Sequence, residues 1–261
     1  MSALLDASAD VVDDAAAATY FEELGEPART LPPVAVVIAA YEEAEVIGDV
    51  LDVLPRTLCD LEVTILVVSD GSRDATAQVA RAHGALVCDV PVNRGQGAAL
   101  RLGYRLAREG GAAYIVTTDA DGQYDPAEIE RVLSPVVSGD ADFVTGSRAL
   151  GAEESRDPVR RLGVRVFAGA ISVLMRQRIT DPAFGLRAMR ADLTSGVRLE
   201  QPQYQSSELL IAVLARGYRV LEVPATIHKR AVGESKKGPN ALYGLAFARV
   251  VARTWWRERR S

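Results

Sequence analysis

The chain has 261 residues, of which 48% are hydrophobic and 25% are charged, and its formal net charge is −5. No apolar run reaches the roughly 18 residues that a membrane span needs, and the spacing of the two cysteines, Cys59 and Cys88, fits neither a disulfide framework nor a zinc site. These features predict one large core in a reducing, cytoplasmic setting and exclude a transmembrane or disulfide-stabilised protein.

The first 30 residues form an acidic, alanine-rich segment in which seven acids stand against Arg29 alone. A signal peptide would begin with basic and then apolar residues, so this segment is predicted to be a flexible or loosely helical extension. Residues 156–190 reverse the balance, with eight arginines against Asp157 and Asp181. Basic segments of this kind suit an anionic surface or a phosphate-bearing partner, and we expect no nucleic-acid partner.

Hydrophobic periodicity predicts strands and helices that alternate along the chain. In order they are strand 34–40, helix 42–54, strand 63–68, helix 74–82, strand 86–90, helix 96–109, strand 114–118, helix 126–137 and strand 142–145. This alternation predicts an α/β domain with a mostly parallel central sheet flanked by helices. Ligands of such sheets bind beyond the carboxyl ends of the strands.

An acidic cluster, Asp-Ala-Asp-Gly-Gln-Tyr-Asp at 119–125, follows the fourth of these strands directly. Carboxylates at Asp119 and Asp121 suit a hard cation such as Mg²⁺ or Mn²⁺, which often bridges to substrate phosphates. A plain turn explains the same residues equally well, with Asp125 as the N-cap of the next helix and Pro126 at its first position.

Three other polar loops follow predicted strands, at 41–43, 69–72 and 93–97, and each read singly is a turn. Together with the acidic cluster they are predicted to line one rim of the sheet. The first helix has no G-x-G-x-x-G and the chain has no G-x-x-x-x-G-K-[ST], which disfavours a Rossmann dinucleotide site and a P-loop.

Seven ordered motifs between Val34 and Gly238 carry a family resemblance. They are VIAAYEEAE, VVSDGSRDAT, NRGQGAALRLGY, TTDADGQYDPAEI, VTGSR, DPAFGLRAMR and EVPATIHKRAVGESKKG. In this order they resemble family 2 glycosyltransferases of the GT-A fold, and in particular the branch of dolichyl- and polyprenyl-phosphate hexose synthases. The resemblance implies a single GT-A domain over 31–238, between the extension 1–30 and a basic amphipathic helix at 239–261.

The resemblance also implies a donor site. The residues that match its nucleotide-sugar-binding positions are Ala39, Tyr41, Glu43, Asp70, Asp119, Ala120, Asp121, Arg230 and Lys236. Asp70 is expected to bond a ring nitrogen of the base, and Asp119, Asp121 and Gln123 are expected to bind Mg²⁺ or Mn²⁺. Arg230, Ser235 and Lys236 match a loop that covers the donor phosphates. Gln96 stands where mannose-type members often have lysine, which favours a UDP-sugar over a GDP-sugar.

On the acceptor side, Arg148, Arg160 and Arg161 match positions that bind a polyprenyl phosphate in this branch. An ionised phosphate is already a nucleophile, so a single inverting displacement is expected, with Asp121, Arg148 and Arg230 as the catalytic residues. Val164 replaces a serine common in lipid-phosphate enzymes. A soluble or glycan acceptor therefore stays an alternative, as does a non-catalytic nucleotide-sugar-binding module.

Two amphipathic segments bear on how such an enzyme would reach a lipid. The first segment begins at the predicted acceptor pair, and one of its helical faces carries Arg161, Arg165 and Arg176. The second segment lies near the C-terminus, and one of its faces carries Arg249 and Arg253. Such faces either rest on anionic lipid headgroups or are the solvated sides of packed helices. We expect a cytoplasmic protein attached peripherally to the membrane or held there by a membrane-protein partner.

Overall fold

The structure, a computed structural model, describes residues 2–25, 30–153, 158–197, 199–201, 204–228 and 240–259. Its strands are β1 (Val34–Ala40), β2 (Thr57–Leu58), β3 (Leu61–Asp70), β4 (Leu86–Val90), β5 (Tyr114–Asp119), β6 (Phe143–Glu153), β7 (Arg187–Arg190) and β8 (Val220–Ile227). Its helices are α1 (Ser2–Leu24), α2 (Ile47–Asp52), α3 (Thr76–Ala82), α4 (Gln96–Glu109), α5 (Ile129–Val137), α6 (Pro158–Met175), α7 (Leu193–Gly196), α8 (Gln205–Ala215) and α9 (Asn240–Glu258).

The strands form one sheet in the order β2-β3-β1-β5-β7-β6-β8, with β4 also paired to β3. Four pairings are parallel, namely β1 with β3, β1 with β5, β3 with β4, and β6 with β8. Strands β2 and β7 pair antiparallel with their neighbours. The predicted α/β class with a mostly parallel sheet is confirmed, although the sheet is mixed rather than purely parallel, because β2 is antiparallel to β3 and β7 lies between β5 and β6 in the opposite direction.

Apolar runs in the central strands explain why helices cover both faces of the sheet. In β1, Val34, Val36 and Ile38 pack on one face, against α2, α3 and α5, while Ala35 and Val37 pack on the other. Helix α4 lies on this second face together with parts of α1, α6, α8 and α9. A strand buried on both sides needs such a continuous apolar sequence.

Several predicted elements have the bounds that the sequence indicated, including strands 34–40 and 86–90 and helix 96–109. The helix predicted at 42–54 is wrong in its first half, since α2 begins only at Ile47. Glu42 has a φ of 52°, and its backbone N–H donates to Ser72 Oγ at 3.1 Å. Contacts between the loops therefore override the local helix propensity.

The two terminal helices pack on the second face of the sheet. On α1, Ala16, Ala17 and Tyr20 are buried; on α9, Phe247 and Val251 are buried. The division of the chain at residues 30 and 238 stays a prediction. Within the ranges that the structure describes, no helix is both long and apolar enough to cross a bilayer.

Candidate active site

The parallel strands bring the polar loops to one edge of the sheet. Ala39, at the end of β1, lies opposite Val68 of β3 and Asp119 of β5. Strands β6 and β8 run in the same direction as β5, because β7 is antiparallel to both β5 and β6. The carboxyl ends of β1, β3, β4, β5, β6 and β8 therefore lie at the same edge of the sheet, which confirms the rim predicted for the loops after β1, β3, β4 and β5.

The acidic cluster begins at the last residue of β5. Asp119 Oδ1 accepts from Gln96 Nε2 at 3.0 Å, and Asp121 Oδ1 accepts from the Gln123 backbone N–H at 3.1 Å. Asp121 is 8% exposed, so it lies deeper than a solvated turn residue would. Asp125 caps a 3₁₀ turn over Pro126–Glu128, because its Oδ1 accepts from the Ala127 N–H at 2.9 Å. The predicted cap is confirmed, and it separates Asp125 from the other two acids.

Gly185 closes the cluster from the side of β7. A Cβ at this position would lie 2.8 Å from Asp119 Oδ2 and 2.5 Å from the Tyr124 hydroxyl. That hydroxyl accepts from the Gly185 backbone N–H at 2.9 Å. Burial, and next the charge of Asp119, raise the pKa of Tyr124 well above its usual value, so the phenol stays protonated. Only glycine fits between these groups without displacing them.

The predicted nucleotide residues Tyr41 and Glu43 lie in the loop after β1. The Glu43 backbone N–H donates to Thr76 Oγ1 at 2.9 Å, which ties this loop to the start of α3. Tyr41 is half-exposed, and a hydrogen bond to Glu42 raises the pKa of its phenol. Both residues therefore lie on a loop that is held by a hydrogen bond to the first residue of α3.

Asp70, at the end of β3, is 2% exposed and organises the loop after β4. Its Oδ2 accepts from the backbone N–H groups of Arg94, at 2.9 Å, and Gly95, at 2.7 Å. Its Oδ1 has no hydrogen-bond donor among the described residues. Burial raises the pKa of Asp70, against the two backbone N–H groups that lower it. A Cβ on Gly71 would lie 2.2 Å from the Asn93 backbone nitrogen, so the two loops touch backbone to backbone.

Arg148, predicted as an acceptor and catalytic residue, has a partner that the sequence analysis did not name. Its Nε donates to Asp181 Oδ2 at 2.6 Å, and its Nη2 lies 3.4 Å from Asp181 Oδ1. Asp181 is fully buried, and its backbone N–H donates to Glu222 Oε1 at 2.8 Å. Burial raises the pKa of Glu222, although its backbone donors oppose this effect. The pair fixes the Arg148 guanidinium midway along β6.

The remaining predicted site residues lie on α6 or outside the residues that the structure describes. Arg161 is exposed on α6, whereas only the backbone of Arg160 is described. Arg230, Ser235 and Lys236 fall outside the described residues, so their predicted contacts with donor phosphates stay predictions.

Three further residues at the rim were missed by the sequence analysis. Asp181 and Gly185 lie in the motif DPAFGLR, and their partners are distant in sequence. His228 follows β8, and its backbone accepts from Gln123 Nε2 at 2.9 Å. A polar residue directly after a strand was the available signal for His228, but β8 was not among the predicted strands.

Glu208, the buried acid of α8, belongs to a structural ion pair. Its Oε1 accepts from Arg257 Nη1 at 3.0 Å, and both of its oxygens accept from the Glu200 backbone N–H. The contact ties α9 to α8.

The acidic cluster fits a divalent cation that is shared with a substrate. Among the described residues, no three His, Cys, Asp or Glu side chains converge as a complete metal site. Asp119 and Asp121 supply two carboxylates, and the Gly185 backbone packs so closely against Asp119 that a Cβ there would lie 2.8 Å from Asp119 Oδ2. Mg²⁺ and Mn²⁺ commonly take one or two carboxylates and complete their shell with phosphate oxygens and water. The rim is therefore suited to a metal–diphosphate ligand.

The family model described as glycosyl transferase family 2 matches residues 35–197. A dolichyl-phosphate hexose transferase of Haloferax volcanii is 33% identical over 88% of this chain and 97% of its own. An undecaprenyl-phosphate mannosyltransferase of Micrococcus luteus is 30% identical over 85% of this chain and 93% of its own.

Solved structures share the fold. Glucosyl-3-phosphoglycerate synthase from Mycobacterium tuberculosis, crystallised with Mn²⁺, UDP and glucosyl-3-phosphoglycerate, superposes with a TM-score of 0.66. The similarity covers 87% of this chain and 80% of that one, at 23% sequence identity. At this identity the likeness concerns the fold.

Proposed function

Since the chain belongs to glycosyl transferase family 2, we propose that it transfers a hexose from a nucleotide diphosphate sugar to a polyprenyl phosphate. The observation that carries this proposal is the similarity to the dolichyl-phosphate hexose transferase, which extends over 97% of that protein. The rim geometry supports it, because the carboxylates of Asp119 and Asp121, the loop capped by Asp125 and the ion pair between Arg148 and Asp181 lie there.

The donor would lie along the ends of β1, β3 and β5. Tyr41 and Glu43 would contact the nucleoside, and Asp70 Oδ1 would accept from an N–H of the base. A buried carboxylate oxygen without a donor is costly, so a ligand N–H at this position stabilises the complex. Asp119 and Asp121 would hold Mg²⁺ or Mn²⁺, which would offset charge on the departing diphosphate.

In the transfer, an oxygen of the acceptor phosphate forms a bond to the anomeric carbon while the bond from that carbon to the nucleoside diphosphate breaks. The electron pair of the broken bond leaves with the diphosphate, and the configuration at the anomeric carbon inverts. No proton has to be removed from an ionised phosphate, so the chain's main contribution is to position the two reactants. Arg148, with Arg160 and Arg161, would hold the acceptor phosphate, and the buried Asp181 would keep Arg148 in place.

The acceptor is proposed to reach the rim from a membrane surface beside α6. Leu162, Val166 and Val173 on this helix are 63%, 59% and 79% exposed, and Arg161 and Arg165 are exposed next to them. Insertion of each aliphatic side chain contributes roughly 1.5–3 kcal/mol, and each arginine near an anionic surface about 1 kcal/mol. Peripheral attachment therefore requires no membrane-spanning segment.

The activity is tested by incubating the protein with Mn²⁺, labelled UDP- and GDP-hexoses and a short polyprenyl phosphate. Label should move into the organic phase with one of the donors. If label appears only in a water-soluble product, the acceptor is a soluble molecule, and if donor is bound without turnover, the protein is a binding module.

Membrane attachment is tested separately with vesicles that contain anionic lipids. Replacing Leu162 and Val166 together with glutamate should reduce the bound fraction at least tenfold. The control is Val53→Glu, which changes an equally exposed side chain next to α2. Equal binding of the α6 variant and the control would refute the role of α6.

A further inference from the structure

The N-terminal helix α1 precedes the family-matched region, yet it is joined to the proposed donor site through one buried acid. Asp13 is 4% exposed and accepts from Arg94 Nη1 at 2.5 Å. It also accepts from Arg101 Nε at 3.1 Å and Arg101 Nη2 at 2.8 Å. Two arginines thus converge on a single carboxylate, an arrangement that is costly to disturb when buried.

Arg94 connects this acid to Asp70. Its backbone N–H donates to Asp70 Oδ2, while its Nε lies 3.9 Å from Asp70 Oδ1. The guanidinium therefore stands between two carboxylates, and Asp13 holds its Nη1. The Nε–Oδ1 distance is too long for a hydrogen bond, and Asp70 Oδ1 has no hydrogen-bond donor among the described residues.

The same loop leads to the acidic cluster. Gly95 and Gln96 follow Arg94 directly, and Gln96 Nε2 donates to Asp119 Oδ1 at 3.0 Å. The loop cannot shift toward β3, because Gly71 already touches the Asn93 backbone. Backbone contacts therefore fix the loop, while Asp13 binds the Arg94 side chain.

We propose that Asp13 is a positioning residue of the donor site: it holds the Arg94 guanidinium away from Asp70 Oδ1 and so reserves that oxygen for the nucleobase. Without the Asp13 charge, Arg94 moves the short distance to Asp70 Oδ1 and competes with the donor. This role rests on the proposed function, since it requires a nucleotide to bind at Asp70.

Calorimetric titration with UDP and with GDP in the presence of Mn²⁺ tests the proposal on the full chain. Asp13→Asn should weaken nucleotide binding about tenfold, which corresponds to about 1.4 kcal/mol. The matched control is Asp14→Asn, because Asp14 is exposed and pairs with Arg105 at 2.5 Å on α4. This control should bind within twofold of wild type.

A second substitution separates competition by Arg94 from a general loosening of α1. Arg94→Gln removes the competing charge, so the double variant Asp13→Asn/Arg94→Gln should recover most of the lost affinity. A purely structural role of Asp13 would leave the double variant as weak as Asp13→Asn, and that result would overturn the proposal. So would wild-type affinity in Asp13→Asn.

The single variant Arg94→Gln keeps the test decisive even if Asp13→Asn does not fold. It should bind nucleotide at least as tightly as wild type, because the loop is held to Asp70 through backbone N–H groups. A tenfold loss in this variant would overturn the inference. If wild type binds neither nucleotide, the proposed function fails and the inference fails with it, whereas binding by wild type with the wrong variant pattern refutes the inference alone.

Discussion

Replacement of Gly185 by alanine tests whether the acidic cluster requires a fixed geometry. The added methyl would lie 2.5 Å from the Tyr124 hydroxyl and 2.8 Å from Asp119 Oδ2. To reach an ordinary contact of 3.4 Å, these oxygens must move by about 0.9 Å and 0.6 Å. A displacement close to 1 Å in a reacting site costs about 100-fold in rate, so kcat/KM should fall by about that factor.

The assay measures initial rates of label transfer over a range of Mn²⁺ concentrations, together with the thermal unfolding midpoint. Overpacking should cost about 1–3 kcal/mol of unfolding free energy, and the Mn²⁺ concentration for half-maximal rate should rise because Asp119 is displaced. Gly196→Ala is the control, since the nearest atom to its Cβ would be 3.4 Å away. A folded Gly185→Ala variant with kcat/KM within threefold of wild type would refute the reasoning.

Three further substitutions probe the cluster and its scaffold. Asp121→Asn keeps the side-chain size but removes a charged ligand, so turnover should fall about 1,000-fold, and wild-type rates would contradict the metal assignment. Hydrogen bonds from Arg219 lower the pKa of Asp142 from 3.8 to about 2, so the stability from this group is present above pH 4 and lost as pH falls towards 2. Asp142→Asn should therefore lower the free energy of unfolding by at most about 2 kcal/mol at pH 7, and urea unfolding should show that this free energy depends less on pH between 4 and 2. An unchanged pH dependence would count against the pairing of Asp142 with Arg219. Arg257→Met leaves the buried Glu208 without its cation and should lower the free energy of unfolding by about 3 kcal/mol. Arg253→Met, which removes an exposed ion pair, should lower it by less than 1 kcal/mol, and equal losses would contradict a special role for the buried pair.

The local sequence pattern predicted the strands and helices that are specified by their own residues, but it did not predict segments that are fixed by contacts distant in sequence. Strand β1 and helix α4 have the predicted bounds, because an apolar run and an amphipathic period specify them without help. The segment 41–46 departs from helix because its backbone N–H groups bond side chains some 30 residues away. Strand β7 has only four residues, too few for a period, and it alone explains why β5 and β6 are not direct neighbours.

The candidate site divides in the same way. The family resemblance is confirmed, and Asp119, Asp121 and the cap Asp125 could be picked from one short stretch. Pairs such as Arg148 with Asp181 join different elements, and no local pattern encodes which arginine meets which acid. Asp13 is the extreme case, because in the sequence it is one acid among seven in a segment with no apparent core role.

The mass of the product made from unlabelled donor and a short polyprenyl phosphate decides whether this chain transfers a hexose to a lipid phosphate. We expect a single new species with the mass of the acceptor plus one anhydrohexose, formed together with an equal amount of nucleoside diphosphate. An acceptor of unchanged mass while donor is consumed, or an acceptor that has gained a hexose phosphate with release of nucleoside monophosphate, would contradict it.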